Sequence, residues 1–335
     1  RTTDLSLFDD DQLRAAFGDL KFDESLMDAT GFEPLEIADL LADPPSPLDA
    51  PEPQIDHASE LQEKWRTAPG QLWTIGRHRL LVGDSTDEPQ LERLLDGEIV
   101  GAVITDPPYS SGGQFRGDRA QATGTKYTTT GTLRNRPNFS GDNRDQRSWI
   151  AWCSAWLAKL LLHVEEGANL AVWSDWRQLP SLTDAIQGGG WVWRGVAGWD
   201  KTEAARPVLG RFRSQLEFVV WGSAGGLRDN KTDPPYPGTH RQAVKSAEKE
   251  HQTQKPLDVV VWSLSMARGI VVDPFLGAGT TMVACEKLGL RCFGAEISPP
   301  YAAVCLERLA GAGLTPILAD KPARRKRAKQ SSPVA

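Results

Sequence analysis

Asp106-Pro107-Pro108-Tyr109 places a carboxylate, two rigid prolines and an aromatic ring directly after the apolar run 100–104. In such a place a carboxylate serves as a hydrogen-bond acceptor and a tyrosine as a flat stacking surface. The apolar run reads as a buried strand of a parallel sheet. Proline offers no N–H to the ladder and fixes φ, so the strand ends at once and leaves Asp106 and Tyr109 at its carboxyl end. That is where open α/β sheets bind their ligands. The same four letters recur at Asp233-Pro234-Pro235-Tyr236, but behind the polar stretch 227–232. With no strand before it, the second copy reads as a proline-rich surface turn.

A second constellation lies near the other end of the chain. The apolar run 269–272 reads as a strand and ends in Asp273-Pro274-Phe275-Leu276-Gly277-Ala278-Gly279-Thr280-Thr281. A helix follows to about residue 288, then a strand over 291–295 that ends in Glu296. Glycines let the backbone turn tightly and approach a ligand closely, and the helix start offers free N–H groups. An acid at the end of the next strand can accept both hydroxyls of a ribose. This βαβ unit therefore predicts a nucleoside cofactor. It argues against a dinucleotide, because the third glycine of that fingerprint falls on Met282, whose bulk opposes close helix–strand packing. A ligand with an adenosine and a short zwitterionic arm fits better.

Other elements must position these two turns. Residues 71–82 read as a hairpin whose second arm ends at Gly83-Asp84-Ser85, followed by a helix over 88–95. Helices are expected over 149–163, 179–187, 256–267 and 299–309, and a buried strand over 168–174. Residues 191–199 and 216–221 are aromatic and β-branched, and read as the antiparallel edge of a mixed sheet. Residues 110–148 lack apolar periodicity and are rich in arginine; a loop of that length is usually functional or disordered.

The net charge of −6 hides an asymmetry. Residues 1–60 hold 16 Asp and Glu against Arg1, Arg14 and Lys21, a balance of −13 that leaves about +7 for the rest. A basic body favours polyanions, nucleic acid first. The four cysteines form no C-x-x-C pair and no cluster with histidine, so neither a metal site nor a disulfide framework is expected. No apolar run approaches the ~20 residues of a membrane helix, and the expected location is cytoplasmic.

Together, the Asp106 to Tyr109 strand end, the His251-x-Thr253-x-Lys255-Pro256 helix start, the glycine turn and the later acid resemble the amino-group DNA methyltransferases that use S-adenosylmethionine. The order, tetrapeptide first and cofactor glycines last, is similar to the β circular arrangement of that family. Residues 65–85 look like the methylase part of ParB-linked methyltransferases. The resemblance covers about 65–310. It implies a circularly permuted Rossmann-like methyltransferase fold of the α/β class: a mixed seven-stranded sheet with one antiparallel strand and helices on both faces. The implied organisation is an acidic leader and linker (1–64), a methyltransferase domain (65–315) with a basic loop (110–148) and a target-recognition insert (222–250), and a basic tail (316–335).

By position, the resemblance implies that Asp106 and the Pro107 carbonyl accept hydrogen bonds from the exocyclic amine of a base, with Pro108 completing the turn and Tyr109 stacking on the ring. Asp273, Phe275, Gly277, Gly279 and Thr280 then line the cofactor and Glu296 holds its ribose. Asp84, read as ending a strand next to the catalytic strand, meets the adenine ring, and Thr253 and Lys255 face the methionine carboxylate. Gln252 departs slightly from the family's pattern. The partners implied are duplex DNA, a homodimer mate and a cognate restriction nuclease, with no membrane. The lead expectation is adenine N6 methylation, because Asp heads the tetrapeptide more often in adenine enzymes. Cytosine N4 is the runner-up; a non-catalytic DNA-binding subunit, RNA or protein amine methylation and a dehydrogenase are weaker alternatives. No cysteine follows a proline, which removes the cytosine-C5 mechanism.

Overall fold

Val100–Thr105 is buried at all six positions, as a strand covered on both faces must be. The computed structural model describes residues 51–108, 144–205, 209–227, 233, 235–243 and 255–319. In chain order its strands are β1 (Leu72–Ile75), β2 (His78–Val82), β3 (Val100–Thr105), β4 (Val164–Ser174), β5 (Val192–Asp200), β6 (Leu216–Ser223), β7 (Thr239–Arg241), β8 (Ile270–Asp273), β9 (Arg291–Glu296) and β10 (Pro316–Leu318). The α-helices are α1 (Ala58–Trp65), α2 (Glu88–Leu95), α3 (Gln146–Leu161), α4 (Leu179–Gly188), α5 (Leu257–Ser263), α6 (Thr280–Lys287) and α7 (Pro299–Gly311).

The strands form one sheet in the order β10-β1-β2-β9-β8-β3-β4-β6-β5-β7. Its middle, from β2 to β5, is the expected seven-stranded mixed sheet, in which β6 alone runs antiparallel to its neighbours. The sheet is nevertheless wider than seven strands. The hairpin arm β1 and the short β10 extend one edge, and β7 extends the other. Residues 316–318 were expected in the basic tail and 239–241 in an irregular insert; three-residue strands carry no periodicity from which to read them.

Alternation along β4 shows how the sheet is covered. Val172 enters a core built with Leu91 and Leu94 of α2, Trp149 and Trp156 of α3, and Leu182 of α4. The next residue, Trp173, points the other way and meets Trp262 of α5 edge-on at 6.2 Å. Adjacent side chains of a strand face opposite sides, so helices cover both faces.

Several boundaries differ from expectation. Helix α1 ends where the domain was expected to begin, and Ala58 and Leu61 pack with Tyr301 and Val304 of α7, so packing starts ahead of residue 65. Helix α3 starts at Gln146 because Asp145 caps it, accepting from the Ser148 amide at 3.0 Å. Helix α5 is shorter than 256–267 and ends at Ser263. The basic loop expected over 110–148 falls almost wholly outside the described residues.

Candidate active site

The carboxyl ends of four neighbouring parallel strands carry the residues singled out above. From β2 to β3 they present Asp84, Glu296, the Asp273 to Gly279 turn, and Asp106 with Pro107 and Pro108. Asp84 is therefore not next to the catalytic strand. β9 and β8 stand between β2 and β3, and Val82 pairs with Glu296 instead. The crossover order that decides this is a property of the sheet and not of local sequence. Asp84 closes its own turn, accepting from the Thr86 amide at 2.9 Å and hydroxyl at 2.7 Å. The adjacent Ser85 hydroxyl donates to the Pro274 carbonyl at 2.7 Å, which ties this turn to the glycine turn.

Strands β3 and β8 are direct neighbours. The Thr105 hydroxyl donates to Asp273 Oδ1 at 2.6 Å, and the Phe275 amide donates to the same oxygen at 3.0 Å. Burial pushes the Asp273 carboxyl up to about 6, against the pull of those bonds and of Thr281. Asp273 is thus a buried brace between the two turns.

Gly277 and Gly279 have φ of 57° and 81°, the left-handed region that glycine enters freely. A Cβ on Gly279 would lie 2.5 Å from Cys305 Sγ, so this glycine is needed for helix contact; a Cβ on Gly277 would meet nothing within 4 Å. Gly277 therefore borders open space, whereas Gly279 borders a helix. Glu296 Oε2 accepts from the Gly277 amide at 2.8 Å and Oε1 from the Ser298 amide at 2.7 Å. Burial pushes this carboxyl up to about 7 despite both bonds. Each oxygen keeps acceptor capacity for a diol. Thr280, which opens α6, has its hydroxyl against Arg308 of α7 at 2.8 Å.

Helix α3 grips both turns with three tryptophans. The Trp149 indole donates to the Pro108 carbonyl at 2.8 Å. Phe275 packs between Trp152 and Trp156, each with ring centroids at 5.3 Å. In the sequence these tryptophans fall in the helix expected over 149–163, and no local pattern tells which turns that helix meets.

The Lys255 ammonium pairs with Asp106 Oδ2 and lies 3.2 Å from Glu217 Oε1. Burial opposes that charge, but Asp106 and Glu217 outweigh it and raise its pKa above the usual lysine value. Glu217 was not singled out; an acid within an aromatic strand carries no motif. Tyr109 and Thr253 lie outside the described residues. In the second copy of the tetrapeptide, Asp233 accepts from Tyr236 at 2.9 Å and from Arg268 at 2.9 Å; residues 228–232 before it and Pro234 lie outside the described residues. Among the described residues, no group of three or more His, Cys, Asp or Glu could hold a metal, and no helix is long and apolar enough to cross a membrane.

This arrangement sets the Asp106 carboxylate on the strand next to a turn with two left-handed glycines and the Glu296 acid. A profile of the N6/N4 type described as DNA methylase matches residues 100–307. The type II methyltransferase M.SmaI of Serratia marcescens is 25% identical over 288 residues, spanning 69% of this chain and 90% of its own. The type II methyltransferase M.HinfI of Haemophilus influenzae is 24% identical over 256 residues, spanning 69% and 67%. The solved M1.HpyAVI-SAM complex aligns with a TM-score of 0.49 at 20% identity, over 69% of this chain and 98% of that one.

Proposed function

The chain belongs to the amino-group DNA methylases, and from that membership we propose that it is a site-specific methyltransferase acting on adenine N6 in duplex DNA. The methyl donor is S-adenosylmethionine. The observation that carries the reading is the adjacency of Asp106 to the glycine turn, fixed by the Thr105 to Asp273 bond. Adenine is favoured over cytosine by the Asp that heads the tetrapeptide.

An exocyclic amine is a weak nucleophile because its lone pair is delocalised into the ring. Asp106 and the Pro107 carbonyl, as acceptors for its two N–H bonds, favour the pyramidal form whose lone pair can attack. When bound, S-adenosylmethionine would supply an activated sulfonium methyl group with a neutral thioether as its leaving group, and the proton that the methylated amine loses would pass to water. Glu296 and the Gly277 turn would hold the donor's nucleoside on the strand ends next to Asp106, which is mainly positioning. The target base must leave the duplex to reach this pocket, and Tyr109 is the platform proposed to stack on it. Segments 110–148, 200–215 and 222–250 are the candidates for sequence recognition.

Incubation with methyl-labelled S-adenosylmethionine and duplex DNA, followed by digestion to nucleosides, tests this. Label in N6-methyladenosine supports the proposal. Label in N4-methylcytidine moves the target to cytosine, and label in neither overturns the reading.

A further inference from the structure

A line of alternating charges runs from β5 to the tetrapeptide. Lys201 Nζ lies 2.6 Å from Glu217 Oε2, Glu217 Oε1 lies 3.2 Å from Lys255 Nζ, and Lys255 pairs with Asp106 Oδ2. The Lys255 side chain is 7% exposed and that of Glu217 14%, whereas Asp106 is 35% exposed. The Lys255 ammonium also sits 4.8 Å above the Trp173 ring. Burial works against ionised Glu217, but the two lysines outweigh it and hold its pKa below the usual value. Glu217 and Lys255 are therefore both charged at neutral pH.

The charge count matters at this position. During transfer, positive charge leaves the sulfonium and builds on the amine nitrogen held at Asp106. A buried ammonium paired with Asp106 alone would cancel the carboxylate and repel that charge, and low dielectric strengthens both effects. The four side chains, two lysines and two carboxylates, sum to zero; without Glu217 the other three would leave a net positive charge beside the amine.

We propose that Glu217 is a positioning residue for methyl transfer: it shares the Lys255 ammonium, so that Lys255 orients Asp106 without neutralising it. The proposal rests on the methyltransferase reading above and extends it to a strand outside the motifs.

The test compares wild type, Glu217→Gln, Glu217→Asp, and Glu217→Gln combined with Lys255→Met, by steady-state methylation of duplex DNA, cofactor titration and thermal melting. Glu217→Gln is expected to lower kcat about tenfold or more, with cofactor Kd and DNA KM within about twofold of wild type. Glu217→Asp keeps the charge and is expected to retain most of the rate. Adding Lys255→Met to Glu217→Gln is expected to recover part of the lost kcat, since no ammonium remains to cancel Asp106; a merely structural pair would not give that reversal. A wild-type kcat in Glu217→Gln overturns the proposal. So does a parallel loss of melting temperature, cofactor binding and rate, or a double variant no better than the single one. A wild type that methylates no DNA overturns the functional reading itself.

Discussion

The hydroxyl of Thr105 donates to Asp273 Oδ1 at 2.6 Å, joining strand ends 168 residues apart in the chain. That bond makes one site of two motifs. It also leaves Asp273 buried and acidic in a place that charge does not favour.

Thr105→Val tests the brace. Removing the donor is expected to move the Asp273 carboxyl above its value of about 6. Stability should fall by about 1–3 kcal/mol, the usual cost of leaving a buried acceptor short of a partner. Denaturant unfolding across pH checks it. A carboxyl raised in the folded state contributes stability that is complete below its ordinary pKa and lost as pH rises through the folded value. The stability Asp273 contributes should therefore decline through about pH 6 in the wild type and through a higher pH in the variant.

Asp106→Asn should nearly abolish transfer while cofactor binding persists. Loss of one charged acceptor of this kind costs about 100- to 1000-fold in kcat. Single-turnover methylation and equilibrium titration with S-adenosylmethionine separate the two effects. Equal loss of both would contradict the role given to Asp106.

Glu296 is expected to carry the pH dependence of cofactor binding, if it holds the ribose as proposed. Its carboxyl is pushed up to about 7 without ligand. Ribose hydroxyls donate to the ionised form, so affinity should rise as pH increases through about 7. Glu296→Gln should bind more weakly at high pH and flatten the profile. Titration calorimetry between pH 6 and pH 8, about one unit either side of the raised value, reads both.

The two glycines should fail differently. Gly279→Ala drives a Cβ to 2.5 Å from Cys305 Sγ at φ 81°, and should destabilise the fold by about 1–3 kcal/mol from overpacking, with left-handed strain in addition. Gly277→Ala meets no atom within 4 Å and should cost only about 1–2 kcal/mol of backbone strain. It should nevertheless weaken cofactor binding, since its methyl occupies the face the ligand approaches. Thermal melting set beside cofactor titration separates the pair.

The sequence by itself determined the parallel strands and their ends. Apolar runs cut off by Asp106-Pro107 and by Asp273-Pro274 are local signals, because proline ends a ladder wherever it occurs. The Gly277 turn and Glu296 were legible for the same reason: φ preference and the spacing of a βαβ unit are written in neighbouring residues. The strand order was not, so Asp84 was set beside the wrong neighbour. The motif names Lys255 but not the acids that its ammonium pairs with. Only the folded sheet brought Glu217 within reach of that ammonium and turned Trp149, Trp152 and Trp156 onto the two turns. Contacts of that kind depend on crossover topology and on the depth at which a charge is buried, and neither has a local pattern in the chain.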